Sequence, residues 1–272
     1  MKKAVNALVA IDLLFILTLC VSSVVQNAIA SDTIYYLSFV VCALLGLAYI
    51  RRTRPYTENE RSVYLGINKS AARYAAPLVM PIIAAVVCTS LGMNALAHAF
   101  GVSRTADVEL SLISVLTHAA VPAVAEELLF RYVPMKVLLP YSKRSAVIIS
   151  ALCFALVHND LFAIPYAFVA GILFALVDER CESVIPSMII HFLNNLLSIA
   201  LMASSANEAG VILIALIVLT TASAALIFIK RREYSAFASP LFEKGETERG
   251  IGLSILPLAV VSLTLAVSAL LF

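Results

Sequence analysis

The chain contains no tryptophan, only 9 glycines in 272 residues, and charge at only 13% of its positions. Ordinary soluble domains carry about 25% charged and about 45–50% apolar residues. Here 62% of residues are hydrophobic and the mean hydropathy is +0.98, which excludes soluble and disordered classes. The formal net charge of +2 comes from cations in short clusters at the ends of apolar runs, so no basic groove for nucleic acid is implied. The five cysteines, Cys20, Cys42, Cys88, Cys153 and Cys181, are odd in number and irregularly spaced. That pattern suggests neither a disulfide framework nor a Cys-based zinc site, and they read as small buried apolar side chains. No HExxH is present to demand a metal. Internal repeats, inverted hydropathy symmetry and matched Gly or Pro interruptions are also missing, which weighs against a repeat-built transporter.

What the chain does have is apolar runs of membrane length. A bilayer core takes roughly 20 residues of helix. Nine charge-poor runs are readable: 5–29, 32–50, 75–99, 110–135, 145–164, 166–178, 183–203, 209–229 and 251–271. The expected architecture is therefore an all-α, polytopic transmembrane helical bundle with about eight or nine membrane helices, forming one integral membrane domain over 1–272. The boundary inside "HNDLFAIPYAF" is the weakest, and Pro165 is expected to end or kink a helix there. Lys and Arg are retained on the cytoplasmic side during insertion. With Lys2 and Lys3 inside and the helices alternating, every cation falls on the cytoplasmic side except Arg104, outside, and Arg131 and Lys136, in the fourth run. The expectation is a multi-pass protein of a prokaryotic plasma membrane with its N-terminus in the cytoplasm. The start "KK", an apolar stretch and "NAIA" also resembles a signal peptide cleaved after Ala30. A membrane helix is preferred, because the run is long and carries Asp12. That residue is expected to face water or to be hydrogen-bonded between helices. The polar stretches "RRTRPYTENERSVYLGINKS" and "KRREYSAFASPLFEKGETERG" read as loops.

Ionisable groups at mid-membrane depth are costly and usually face a cavity. Removing loops and helix ends leaves Glu126, Glu127 and Arg131, then His158, then His191 with Asn194 and Asn195. Glu127 and Arg131 are four apart and can pair on one helix face, while Glu126 is rotated by about 100°. One carboxylate can thus be neutralised while its neighbour stays available as a base. His191 and Asn195, also four apart, present two hydrogen-bond donors on one face, an arrangement suited to a developing oxyanion. Counting about 1.5 Å per residue from Lys136, Arg144 and Arg180 at the helix ends, Glu126, His158 and His191 lie roughly 15, 21 and 16 Å deep. Similar depth on three helices allows one shared cavity. His98 and His118 lie near the external helix ends and read as interfacial or packed. Gly171 is expected to allow two helices to approach closely.

"EELLFR" fits EExxxR, "FALVH" fits FxxxH and "HFLNN" fits HxxxN. In order and approximate spacing these motifs resemble the CAAX-protease and bacteriocin-processing (CPBP, or ABI) family of intramembrane endopeptidases, which includes the type II CAAX prenyl proteases. The resemblance covers Glu126 to Asn195 inside a motif-bearing core of about 110–203. It implies that Glu126, helped by His158, activates a water to attack a peptide carbonyl. His191 and Asn195 would stabilise the oxyanion, with Glu127 and Arg131 supporting. No cofactor is expected. Zinc is the alternative, with Glu126, His158 and His191 as ligands. Partners are the lipid bilayer and a membrane-associated peptide or protein substrate, with no nucleic acid. A non-catalytic peptide-binding or bacteriocin-immunity protein and a proton-coupled transporter remain alternatives.

Overall fold

In lipid a backbone can satisfy its own polar groups locally only as helix, and each of the nine apolar runs forms one. The computed structural model describes residues 1–25, 28–53, 65–66, 69–102, 109–242 and 251–271, without the side chains of 28–33, 251–253 and 268–271. Its long helices are α1 (Lys2–Val24), α2 (Ala28–Thr53), α3 (Lys69–Ala99), α4 (Leu112–Leu138) and α5 (Lys143–Leu156). They continue with α6 (Ala163–Cys181), α7 (Ile185–Ala203), α8 (Ala206–Ile229) and α9 (Ile251–Leu271). Among the described residues six helices, α1 to α4, α7 and α8, are long and apolar enough to cross a membrane. The all-helical, multi-pass architecture therefore holds, but eight or nine crossing helices are not reached by that measure. α5 has 14 residues, about 21 Å of helix against a roughly 30 Å hydrocarbon core. α6 ends in Asp178, Glu179 and Arg180.

Two prolines shape α4. Its turns widen to π-type over Leu116–Ala120 and Leu128–Tyr132, just ahead of Pro122 and Pro134. A proline has no N–H, so the carbonyl four residues earlier loses its helical donor. For Pro134 that carbonyl is Phe130, and Ser150 Oγ on α5 donates to it at 2.6 Å.

α5 ends before the sequence pattern suggested. The apolar run continues to 164, whereas the helix stops at Leu156, so His158 lies in the following turn rather than within a membrane helix. Local chemistry explains the break: Asn159 adopts a left-handed φ of 50°, and Asp160 Oδ1 accepts from the N–H groups of Phe162 and Ala163. Pro165 then sits in the first turn of α6, where a missing N–H costs nothing. At the far end of α6, Asp178 reaches over to the start of α7. Ser187 Oγ donates to its Oδ2 at 2.7 Å and Ser187 N–H to its Oδ1 at 3.2 Å.

α5 and α6 form a tight hairpin. A Cβ added to Gly171 would lie 2.8 Å from the Ala151 Cα, so the expected close approach is present and glycine is what permits it. α1 packs on α2 and α9, α3 lies against α6, α7 and α8, and α7 is held between α4 and α6. Asp12 is buried on α1 and meets the Cys153 thiol of α5, the interhelical arrangement of the two expected. Cys42, Cys153 and Cys181 are buried, but Cys88 is exposed on the outer face of α3 and Cys20 is half-buried. Those two correct the uniform expectation of burial. Arg54, Arg61, Arg104, Lys244 and Arg249 and the Ala30 side chain lie outside the described residues, together with much of the two polar loops.

Candidate active site

Glu126 and Glu127 lie on α4 in the turn before the π-type stretch, and they face different surroundings. Glu127 is fully buried. Its Oε2 is 3.6 Å from Arg131 Nε, the expected pair one turn apart, and its Oε1 is 2.8 Å from His191 Nδ1 on α7. Glu126 is turned toward a cavity, with Oε2 3.8 Å from His191 Nε2. The imidazole is thereby held at one nitrogen by Glu127 and directed at Glu126 with the other. At 3.8 Å the second contact is too long for a direct hydrogen bond.

Arg131 is also fully buried, and its Nη1 and Nη2 have no hydrogen-bond partner. Beside the Glu127 carboxylate, its charge is met by aromatic faces. The guanidinium carbon lies 4.0 Å from the ring centre of Phe154 on α5 and 5.7 Å from that of Phe174 on α6. Such cation–π contacts are worth about 2 kcal/mol when desolvated. The Phe154 ring also meets His158 and His191 edge-on, at 4.9 and 5.8 Å between centroids. The phenylalanine of FxxxH is thus the common support of the guanidinium and both imidazoles, a role the sequence reading did not assign. The i, i+4 spacing to His158 was the available signal.

His158 Nδ1 lies 2.8 Å from the Phe154 carbonyl, which sets it as the protonated nitrogen and leaves Nε2 as the acceptor. The His158 N–H turns to the Ala155 carbonyl at 3.2 Å, which leaves the Phe154 carbonyl without its usual helical donor and open to the ring, so the early stop of α5 is part of the geometry.

Glu126, His158, His191 and Asn195 all border one cavity of about 880 Å³, in the range of ligand-binding pockets. Glu127 and Arg131 lie behind its wall. Asn194 borders it as well, and its Oδ1 is buried without a hydrogen-bond partner. His118, set aside on sequence grounds, stands at the rim with Thr117 Oγ1 2.9 Å from its Nδ1, whereas His98 is exposed at the end of α3. Tyr35, Tyr36 and Tyr166 add hydroxyl groups to the lining, and no sequence motif announced them.

Among the described residues no group of three or more His, Cys, Asp or Glu side chains is arranged to hold one metal ion.

Residues 108–197 match the family model described as type II CAAX prenyl endopeptidase Rce1-like. This segment is a third of the chain and contains all three motifs, so the resemblance read from EExxxR, FxxxH and HxxxN is supported. The matched family is one of intramembrane endopeptidases. Neither the curated proteins nor the solved structures include a match.

Proposed function

We propose, from a chain that is CAAX protease-like over residues 108–197, that the protein hydrolyses peptide bonds inside the membrane with a glutamate-activated water and without a metal. One observation carries the reading: Glu126, His158, His191 and Asn195, drawn from α4, the α5–α6 turn and α7, border the same cavity.

Glu126 is the general base. Its carboxylate is the one not engaged by Arg131 and it faces the cavity, so it can take a proton from a water seated against it. The 3.8 Å gap to His191 Nε2 suits a water hydrogen-bonded to both groups. His158 offers its Nε2 lone pair to the same water, with Nδ1 fixed by the Phe154 carbonyl. Attack on the peptide carbonyl places negative charge on its oxygen, and Asn195 Nδ2 together with His191 Nε2 donates to it. His191 donates from both nitrogens when protonated, one to Glu127 and one into the cavity. Collapse of the tetrahedral intermediate returns the proton from Glu126 to the leaving amine.

Glu127, Arg131 and Phe154 position the reacting groups. The guanidinium holds Glu127, Glu127 holds the imidazole, and the Phe154 ring supports the guanidinium and both histidines.

The test is cleavage of a fluorogenic peptide library by detergent-purified protein, comparing wild type with Glu126→Gln, each with and without phenanthroline. Cleavage that is lost in the variant and kept in the chelator is the expected outcome. Loss in the chelator as well would transfer the water-activating role to a metal. Equal cleavage by Glu126→Gln would remove Glu126 from the mechanism.

A further inference from the structure

The cations and the cavity occupy opposite ends of the bundle. Lys3 begins α1, Arg52 ends α2, Arg73 lies in the first turns of α3, Lys136 ends α4, Arg144 begins α5 and Arg180 ends α6. Followed up and down the helices, all six mark the same end. Among the described residues at the other end, in the segments joining α1 to α2, α3 to α4, α5 to α6 and α7 to α8, there is no Lys or Arg. Arg104 lies outside the described residues.

The cavity climbs away from the cationic end on three separate helices. Along α7 the polar lining passes from buried His191 through half-buried Asn194 and Asn195 to exposed Ser198, and beyond buried Ile199 Met202 is 48% exposed. Along α3 it rises from buried Val87 to exposed Leu91 and Asn94. α4 runs in the opposite direction, and there exposure rises backwards along the chain, from buried Pro122 to exposed His118. The short α5 explains why there is space. Its 14 residues rise about 21 Å from the cationic end, so the turn carrying His158 stops below the rim of its longer neighbours.

Cationic ends are retained in the cytoplasm during insertion. We propose that the cavity opens to the extracytoplasmic side of the membrane. Its substrate is then an extended segment of an exported or membrane-anchored polypeptide presented on that side, rather than a chain end held at the cytoplasmic surface. The substrate class rests on the hydrolytic function proposed above, whereas the direction of opening rests on the cations and the gradient of exposure alone.

Membrane sidedness is measured by thiol labelling, which requires no proteolysis and so fails independently of the hydrolytic reading. The full chain is placed in bacterial membranes as Ser198→Cys or Arg144→Cys, with the parent chain supplying the background from its own five cysteines. A membrane-impermeant sulfonated maleimide is then added to right-side-out and to inverted vesicles. Ser198→Cys is expected to label above background only in right-side-out vesicles, and Arg144→Cys only in inverted ones. Labelling of Ser198→Cys from the inverted side or from neither side overturns the proposal, as does labelling of Arg144→Cys from outside. Met202→Cys, one turn nearer the rim, repeats the measurement should Ser198→Cys be recovered poorly. Accessibility at Met202→Cys from the inverted side overturns the proposal equally.

Discussion

Glu127 on α4 and His191 on α7, 64 positions apart in sequence, meet with Oε1 2.8 Å from Nδ1 in a fully buried contact. This contact makes the Glu127–Arg131 pair more than a helix staple, because it ties the charge pair to the orientation of an imidazole that borders the cavity.

Removing Glu127 alone leaves the Arg131 charge buried without its carboxylate, and Glu127→Leu is expected to cost about 3–5 kcal/mol of stability. The double variant Glu127→Leu/Arg131→Met removes both charges and is expected to recover most of the melting temperature while proteolysis stays lost, since His191 Nδ1 has no acceptor. Glu127→Gln/Arg131→Met keeps an acceptor oxygen and is expected to retain part of the activity. Equal activity in the two doubles, read by thermal melts and peptide cleavage, would show that the His191 contact does not matter.

Phe154→Leu keeps an apolar side chain, though a smaller one, and removes the ring 4.0 Å from the Arg131 guanidinium. The expected loss is about 2 kcal/mol, accompanied by a drop in kcat, because His158 and His191 lose their shared edge contact. A fall in melting temperature with unchanged kcat would confine Phe154 to packing.

Asn195→Ala is expected to lower kcat by roughly 10²–10³-fold with KM little changed, the signature of a donor used in the transition state. A change in KM alone would make Asn195 a substrate-binding group instead. Glu126→Ala and His158→Ala are each expected to abolish cleavage while the protein elutes as a folded species in detergent. Wild-type rates from either variant would sink the mechanism.

Gly171→Ala places a Cβ 2.8 Å from the Ala151 Cα, a backbone atom that cannot rotate away. The α5–α6 hairpin must open, at an expected cost of about 1–3 kcal/mol, with an accompanying loss of activity as His158 shifts. Gly92→Ala is the control, since no atom lies within 4 Å of the position its Cβ would take. A Gly171→Ala variant as stable as Gly92→Ala would refute the close approach.

The chain by itself determined the class of structure and brought forward the ionisable residues that border the cavity. Hydropathy is additive along the chain, so apolar runs of membrane length specify helices whatever their neighbours do. Ionisable groups amid such runs are conspicuous because lipid penalises them. Pairing at i, i+4 is likewise a local property, so the Glu127–Arg131 pair was legible beforehand. Tertiary structure alone decided which nitrogen of His191 faces Glu127 and that the Phe154 ring supports a guanidinium, whereas the stop of α5 at Leu156 is local chemistry that a hydropathy count does not see. The first two depend on side chains from separate helices converging, the third on a turn at Asn159 and Asp160 overriding an apolar run. Hydropathy sums a segment's preference for lipid and carries no term for the partner on the next helix. Which ionisable groups lie amid apolar runs is therefore written in the sequence, whereas the direction in which each group points is settled only when the helices pack.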